Sequence, residues 1–478
     1  MSLPPRLLGA LASCIGALAL AQPLPPEVGA ALARAKIPLE AVTLLVVDAE
    51  GKLPARLSHR ASVPVNPASV MKLVTTYAAL DLLGPAYTWR TPVYVEGAVR
   101  DGTLFGNLYL QGLGDPKLVA ERLWLLLRRV QGLGIRKITG DIVLDRSAFE
   151  TLDVDPARFD GEPLRPYNAT PDALLLNYKS VVMTFVPDRS AHLAQVQFEP
   201  PLAGVQMQRN VPLSYGECGD YRAALKADFS DATQIRFAGA YPANCAEKVW
   251  PVAYVDPASF GVRALEGLWR EMGGTLGGTV HEGRVPERVP SLQPAFELIS
   301  PPLAEVIRDI NKYSNNVMAQ QLFLTLSLPG RSPNGSPVGA VASQAASRDV
   351  LRRWWTERIS TDDAPTLDNG SGLSRLDRIS AQALARLLQT AYRSPLMPEL
   401  MASLPIAGID GTLKTRRALL QGGAHLKTGS LRDVSAMAGY VHTASGKRYV
   451  LVAVANHPNA TAARPAFEAL IEWAALEN

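Results

Sequence analysis

The chain of 478 residues has little of several residue types on which common functional sites depend, with only three cysteines and six histidines. It contains no C-x-x-C, no H-E-x-x-H and no cluster of Cys and His, so a zinc site has no support. It also lacks a P-loop, a dinucleotide-binding glycine motif and a G-x-S-x-G serine motif. We therefore expect neither a metal nor an organic cofactor.

The chain also carries little net charge. The formal net charge at pH 7 is only +4, and no block of Lys or Arg stands out. Because nucleic-acid binding depends on a concentrated basic surface, nucleic acid is excluded as an expected partner. A weakly basic exported protein would still be attracted to anionic envelope polymers, so a peripheral association with the envelope or a membrane surface stays open.

One apolar run occurs, at the start of the chain. It follows the single charge of Arg6, and a small-residue cleavage pattern ends at Ala21. This pattern predicts a signal peptide over residues 1–21, cleaved near Ala21-Gln22, and hence an exported, periplasmic protein. Cys14 lies in a sequence that also resembles a lipoprotein cleavage box, but the apolar run continues past it, which argues against lipidation.

Removal of the signal peptide leaves two cysteines, Cys218 and Cys245, which are 27 positions apart (245 − 218). Two cysteines in an oxidising compartment favour a single disulfide bond. The alternative is a pair of free buried thiols.

One stretch contains a candidate nucleophile. After Pro67 the apolar residues recur at helical spacing, which places Ser69 in the first turn of a helix. Ser69 and Lys72 are three positions apart and share one helix face, so the amine can reach the hydroxyl that it would activate. Because a serine near a helix start is more often a cap, this pattern alone leaves both interpretations open.

Two further patterns occur later in the chain. Ser-x-Asn is found at Ser314-Asn316, between two helical patterns, and again at Ser332-Asn334, in a loop rich in Gly, Pro and Ser. Lys427 begins the single Lys-Thr-Gly sequence, where a strand pattern runs toward a hairpin. Taken separately, the first pattern also fits a helix cap and the last fits a solvated lysine at a turn.

In this order, S-x-x-K, S-x-N and K-T-G form the signature of penicillin-binding proteins and serine β-lactamases. A β-lactamase domain is too short for the 242 positions that separate Lys72 from Ser314 (314 − 72). The chain resembles the penicillin-binding protein 4 type of D-alanyl-D-alanine carboxypeptidase/endopeptidase, a class C low-molecular-mass penicillin-binding protein. Further stretches that match this family are 112–116, 313–316, 368–375 and 409–413.

The resemblance implies an α/β (α+β) multidomain fold. Residues 22–86 and 291–478 are expected to form a β-lactamase/transpeptidase-like catalytic domain, an antiparallel sheet flanked by helices. Residues 87–180 and 256–290 would form an inserted domain II, and residues 181–255 a β-rich domain III nested within it.

The resemblance also implies catalytic roles. Ser69 would be the nucleophile, Lys72 its base, and Ser314 a relay that returns a proton to the leaving amine. Asn316 would hold both the substrate amide and Lys72. Lys427 would receive the C-terminal carboxylate of the substrate.

A second set of residues would bind the substrate. The backbone N–H groups of Ser69 and Ser430 are expected to form the oxyanion hole, and Gly429 to let the substrate backbone approach closely. The hydroxyls of Thr428 and Ser430 would contact the C-terminal carboxylate of the substrate. The charged residues Arg375, Asp160 and Glu162 would lie beside the stem peptide. For these three charged residues, a solvated surface position is the alternative interpretation.

The implied function is serine-type hydrolysis of D-Ala-D-Ala in peptidoglycan stem peptides and their cross-links, with acylation by β-lactam antibiotics. The alternative within enzymes is a β-lactamase or esterase, which would turn over its acyl-enzyme quickly. The alternative outside enzymes is a non-catalytic peptidoglycan-binding scaffold, against which the complete set of catalytic residues argues.

Overall fold

The computed structural model describes residues 23–151, 154–286, 293–328, 341–416 and 422–476. Its α-helices are α1 (Pro26–Arg34), α2 (Lys72–Leu83), α3 (Ala120–Gly132), α4 (Tyr221–Leu225), α5 (Phe260–Glu271), α6 (Leu303–Lys312), α7 (Asn316–Thr325), α8 (Gln344–Arg358), α9 (Ala381–Arg393), α10 (Met397–Ser403) and α11 (Arg464–Ala475). Its strands are β1 (Val42–Asp48), β2 (Leu57–His59), β3 (Arg90–Arg100), β4 (Thr103–Gln111), β5 (Lys137–Ile138), β6 (Ile142–Asp145), β7 (Ser180–Asp188), β8 (Leu193–Glu199), β9 (Gln206–Met207), β10 (Asn210–Ser214), β11 (Ala227–Asp228), β12 (Gln234–Phe237), β13 (Tyr241–Pro242), β14 (Lys248–Ala253), β15 (Thr275–Leu276), β16 (Val280–Gly283), β17 (Phe296–Ile299), β18 (Ala424–Leu431), β19 (Val434–His442) and β20 (Arg448–Asn456).

The first sheet has five strands in the order β18-β19-β20-β1-β2, and each neighbouring pair is antiparallel. Helices cover both faces, with α1 and α11 on one side and α2, α6 and α9 on the other. β19 and β20 are therefore buried along almost their whole length, because a sheet covered on both faces has no polar side. The predicted antiparallel sheet flanked by helices is confirmed.

In the sequence, the strands of the second sheet lie between β2 and β18 of the first sheet. The second sheet contains β15-β5-β4-β3-β17, with β6 and β16 paired beside β4, and α3 and α5 pack against it. Its strand β17 pairs antiparallel with β3, so strand pairing in this sheet continues to Ile299, beyond the expected limit at residue 290. The division of the chain into domains stays a prediction.

A third group of strands is nested within the second. Its sheets run β13-β10-β8-β7-β14 and β11-β12-β9, and their apolar residues share one core with the second sheet. The disulfide expected between Cys218 and Cys245 is present here. It joins the segment that precedes α4 to the turn that follows β13.

One turn prediction is wrong. The dipeptide Gly106-Asn107 is typical of a turn, but Gly106 lies inside β4, opposite Gly97 of β3. A Cβ atom on Gly106 would lie 1.8 Å from the carbonyl oxygen of Glu96. The close approach of two backbones requires glycine at this position, and the chain reverses at Gly102 instead.

Two predicted features lie outside the described residues. These are the signal peptide over residues 1–21 and the second Ser-x-Asn at Ser332-Asn334. Among the helices that are described, none combines the length and the hydropathy needed to cross a bilayer.

Candidate active site

The hydroxyl of Ser69 lies in a tight turn directly before α2. Ala68–Met71 forms one turn of 3-10 helix that continues directly into α2 at Lys72, so Ser69 lies in the first helical turn, as predicted. The Oδ1 atom of Asn66 accepts the N–H of Ala68 at 2.9 Å and stabilises this turn. Ser69 is partly exposed, whereas Lys72 is fully buried.

The amine of Lys72 is surrounded by neutral oxygens. Its Nζ lies 3.0 Å from Ser69 Oγ, 2.6 Å from Asn316 Oδ1 and 2.5 Å from the carbonyl oxygen of Ser371. Burial, together with repulsion from Lys427, lowers the pKa of Lys72 well below its ordinary value of 10.5. A neutral amine at this distance can accept the proton of the Ser69 hydroxyl.

The Ser-x-Asn residues lie at the junction of α6 and α7. Ser314 has a φ of 57°, in the left-handed region that few non-glycine residues adopt, and its Oγ accepts a hydrogen bond from Lys427 Nζ at 2.9 Å. Asn315 caps α7 by accepting a backbone N–H at 3.0 Å. Asn316, the next residue, reaches Lys72. These contacts agree with the pairing of Ser314 and Asn316 that the resemblance implies.

The Lys-Thr-Gly sequence lies on β18, the outer strand of the first sheet. On its outer side, residues 405–407 pair only with the first part of the strand, where the Leu426 N–H donates to this segment at 2.9 Å. Because alternate residues of a strand direct their N–H groups to the same edge, the N–H of Ser430 faces the same outer edge. Within the described residues, this part of the edge has no strand partner and can accept an extended peptide.

Lys427 is the second buried amine of the site. Its Nζ donates to Ser314 Oγ at 2.9 Å and to the carbonyl oxygen of Thr428 at 2.6 Å. Burial lowers the pKa of Lys427 to about 7, so the charge of this amine changes near neutral pH. The hydroxyl of Thr428 lies 2.7 Å from that of Thr412, a residue of the matching stretch 409–413.

Gly429 lies where β18 passes the turn that carries the nucleophile. A Cβ atom at this position would lie 2.6 Å from the carbonyl oxygen of Pro67 and 3.0 Å from the backbone nitrogen of Ser69. Any side chain would push the strand away from Ser69. Packing between two protein segments therefore requires the glycine that was expected for approach of the substrate.

A loop within residues 368–375 contacts both Lys72 and the turn that carries Ser69. It supplies the carbonyl oxygen of Ser371, and a Cβ atom on the next residue, Gly372, would lie 2.1 Å from the carbonyl oxygen of Ala68. Gly372 has a φ of +77°, which favours glycine. The sequence does not single out Ser371, because this residue acts through its backbone; the available signals are its flanking glycines and the family match of residues 368–375.

Arg375 lies away from the two lysines. Its guanidinium is 3.5 Å from the carboxylate of Asp433 and stacks over the ring of Phe159, 5.2 Å from the ring centre. About half of the Arg375 side chain is exposed. The structure therefore places Arg375 at the outer wall of the site, between a loop of the first sheet and residues of the inserted region.

The two acidic candidates occupy the same outer wall. Asp160 accepts hydrogen bonds from the Tyr167 hydroxyl at 2.8 Å and from the side chain of Asn168 at 2.8 Å, whereas Glu162 pairs with Arg165 at 3.4 Å. Both acids thus engage neighbours within the inserted region. The described residues contain no group of His, Cys, Asp and Glu that could hold a metal ion.

The profile of the D-Ala-D-Ala carboxypeptidase 3 (S13) family matches residues 26–476. The chain belongs to this family. It is also similar to the D-alanyl-D-alanine carboxypeptidase of Actinomadura sp. (strain R39), with 30% identity over 400 residues that cover 80% of this chain and 71% of that protein. The S13 chain is thus a serine peptidase, and the predicted carboxypeptidase family is confirmed.

Solved structures show the same fold. Penicillin binding protein 4 of Haemophilus influenzae superposes with a TM-score of 0.70 at 21% identity, covering 93% of this S13 chain and 99% of that chain. The same protein in complex with a β-lactam gives a TM-score of 0.66. A predatory peptidoglycan endopeptidase of Bdellovibrio bacteriovorus gives 0.52 at 16% identity, covering 91% of this chain and 92% of that one.

The contact of Gly429 with the nucleophile turn predicts a loss of activity on substitution. In Gly429→Ala the added methyl group would meet Pro67 and the Ser69 nitrogen, so the strand must move away from the nucleophile. Because a displacement of about 1 Å can cost ~100-fold in rate, we expect kcat/KM for D-Ala release from a D-Ala-D-Ala peptide to fall about 100-fold.

Gly132→Ala is the matched control, since a Cβ atom there meets nothing within 4 Å. It should keep wild-type activity. A Gly429→Ala protein with the kcat/KM of the wild type would contradict the assigned contact.

Proposed function

We propose that this chain hydrolyses the D-Ala-D-Ala terminus of peptidoglycan stem peptides through an acyl-enzyme on Ser69. The observation that carries the proposal is the 3.0 Å separation between Ser69 Oγ and the buried amine of Lys72. Because burial and repulsion from Lys427 lower the pKa of Lys72 well below 10.5, its neutral form is favoured and can act as a general base. Family membership supports the bond that is cleaved, and the contacts support the residues that cleave it.

The reaction begins when Lys72 accepts the proton of Ser69 and Oγ attacks the carbonyl carbon of the penultimate D-Ala. The N–H groups of Ser69 and Ser430 stabilise the oxyanion that forms. Ser314 relays the proton held by Lys72 to the leaving nitrogen, so that Lys72 becomes neutral again and Ser314 keeps its own proton; the C–N bond breaks, and D-Ala departs. Water then attacks the ester, which releases the shortened peptide and returns a proton to Ser69.

The terminal carboxylate of the substrate binds along the edge of β18. Protonated Lys427 supplies the positive charge, and the hydroxyls of Thr428 and Ser430 supply hydrogen bonds. The position of these residues on the strand that passes Ser69 supports this assignment, and Gly429 allows that strand to pack against the nucleophile turn.

Charged residues of the outer wall contact the stem peptide beyond the scissile bond. Arg375 is half exposed above the ring of Phe159 and can pair with a carboxylate of the peptide. Asp160 is partly exposed and Glu162 is exposed, and their carboxylates would bind a cationic group of the stem peptide in addition to their neighbours within the inserted region.

The same chemistry extends to cross-links and to β-lactams. A cross-link that follows D-Ala differs only in its leaving group, an amine of a second stem peptide, so we assign endopeptidase activity as well. A β-lactam carries a reactive carbonyl and a carboxylate in a similar arrangement and would acylate Ser69. The β-lactam complex of the structurally similar Haemophilus influenzae protein supports this.

We also propose that the protein acts outside the cytoplasm. Its substrate lies in the periplasm, and the predicted signal peptide over residues 1–21 would direct it there. The disulfide between Cys218 and Cys245 suits an oxidising compartment. Any attachment to the envelope would be peripheral.

The role of Lys72 can be tested with arginine, which remains protonated at any working pH. If Lys72 is the base, Lys72→Arg should lose penicillin acylation by several orders of magnitude, together with D-Ala release from purified muropeptides. The quantity to measure is the second-order acylation rate with one penicillin, followed from pH 5 to 10.

Ser69→Ala sets the background, because it should show no covalent label at all. Lys72→Ala separates the loss of the base from steric effects of the guanidinium. Acylation of Lys72→Arg within about tenfold of the wild type, a difference of ~1.4 kcal/mol, would contradict the assignment of Lys72 as the base.

The pKa of Lys427 predicts the alkaline limb of the pH profile. Lys427 binds the substrate carboxylate only as a cation, and its pKa in the free enzyme is about 7. As the pH rises through this value the amine loses its charge, so kcat/KM for a peptide with a free C-terminal carboxylate should fall. The profile is obtained from initial rates of D-Ala release at subsaturating peptide.

Lys427→Arg provides the check, since arginine does not titrate in this range. This variant is expected to be slower overall but to lack the alkaline limb near pH 7. A limb that persists at the same pH in Lys427→Arg belongs to another group and refutes the assignment.

A further inference from the structure

A buried glutamine on α7 binds the backbone of the inserted region at two points. The Oε1 atom of Gln321 accepts the N–H of Asp172 at 2.8 Å, and its Nε2 donates to the carbonyl oxygen of the same residue at 2.8 Å. Gln321 is fully buried. This paired contact matches the hydrogen-bonding pattern of a strand partner, although it comes from a helix side chain.

The side chain of Asp172 is fixed just as completely. Its carboxylate accepts hydrogen bonds from Arg146, one of them at 2.9 Å, from Lys179 at 2.9 Å and from the N–H of Leu174 at 3.0 Å. Arg146 in turn pairs with Glu282 of β16. Burial raises the pKa of Asp172, but the charges of Lys179 and Arg146 lower it by more. The net pKa is below its ordinary value, so the carboxylate stays ionised.

Residues 159–172, which we call the strap, run from the buried contact between Asp172 and Gln321 to the active site. Toward its other end, the carbonyl oxygen of Tyr167 accepts a hydrogen bond from Asn316 Nδ2 at 3.4 Å. Its first residue, Phe159, stacks under Arg375. The strap therefore forms the outer wall of the cleft, and α7 touches it at two places, near Asn316 and at Gln321.

Beside the cleft the strap is held at Leu164, which packs against the core shared with the second sheet and whose carbonyl oxygen accepts the Ala253 N–H at 3.0 Å. Most of its residues from Phe159 to Tyr167 are partly or fully exposed, and Tyr167 itself is 40% exposed. Burial increases sharply from Asn168 onward, toward Asp172. The position of the exposed part over the cleft therefore depends on the contacts of Leu164 and on how firmly the buried end is held.

We propose that Gln321 and Asp172 are positioning residues that anchor the strap, and that the anchored strap selects for peptide substrates. The inference rests on the proposed function of the Ser69 site. Neither residue touches the reacting atoms. A small β-lactam reacts at Ser69 beside β18, whereas a stem peptide extends past the strap, so loosening the strap should affect the two ligands unequally.

Gln321→Leu tests this inference, because leucine fills a similar volume but makes neither hydrogen bond. We expect kcat/KM for a muropeptide to fall at least tenfold, mainly through KM, while benzylpenicillin acylates Ser69 within about threefold of the wild-type rate. Backbone hydrogen exchange over residues 159–170 should become faster in the free enzyme, a readout that does not depend on activity.

Gln131→Leu is the matched control, since Gln131 is also a buried glutamine that donates to a backbone carbonyl, that of Met272, at 3.0 Å. It lies in α3, away from the strap, and should leave the ratio of the two activities unchanged. Gln321→Glu, which keeps an acceptor for the Asp172 N–H but loses the donor, should give an intermediate loss, and it serves as the test if Gln321→Leu does not fold.

Two results would overturn the inference. One is a parallel loss of peptide hydrolysis and acylation, which indicates a general disturbance of α7. The other is unchanged peptide kinetics with unchanged hydrogen exchange. A failure of the proposed function is separate, because the wild type itself would then show neither acylation of Ser69 nor release of D-Ala.

Discussion

Two lysine amines buried among neutral oxygens are the constraint on which the rest of the structure depends. The hydroxyls of Ser69 and Ser314, the amide of Asn316 and backbone carbonyls surround them, and the described residues show no carboxylate in ion-pair contact with either amine. A buried ammonium without a countercharge is unfavourable, so the pKa values of Lys72 and Lys427 are both lowered. The fold must bring four distant chain segments together to supply these oxygens.

The position of the insertion explains how this cluster tolerates so much intervening sequence. The chain passes from α2 to the second sheet near Trp89 and from that sheet to α6 near Ser300, and these two residues exchange hydrogen bonds at 2.9 and 3.0 Å. Because the two ends of the insertion meet, the residues between them add no strain to the geometry of the lysines. The insertion instead contributes a wall to the cleft, the strap whose buried end is held by Gln321 of α7.

The sequence could predict the parts of the site whose chemistry resides in a side chain. Ser69, Lys72 and Lys427 are recognisable because their three motifs occur together and in order, although each motif alone has other uses, and the family resemblance supplied the choice of Ser314 with Asn316. Ser371 and Tyr167 could not be found this way, because they act through carbonyl oxygens that every residue possesses. Long-range packing alone determines which carbonyl meets which side chain.

The fold likewise divides into elements that their own sequence predicts and elements that only their partners define. The periodicity after Pro67 predicted a helix, and α2 follows the nucleophile turn there, buried along most of its length. Periodicity did not predict short strands such as β17, which are defined by their partners and not by their own pattern. Gly106 was misjudged for a related reason, since the backbone that approaches it belongs to a neighbouring strand.

If Lys72 is the base, it must be neutral when the substrate binds, and the pKa of its amine tests this most directly. The measurement is an NMR titration of ¹³Cε-labelled lysines in the folded enzyme, with the two buried signals assigned from Lys72→Arg and Lys427→Arg. We expect Lys72 to titrate well below 10.5 and Lys427 to titrate at about 7. Titration of Lys72 near 10.5 would show that it is an ammonium at working pH and would contradict its role as the base.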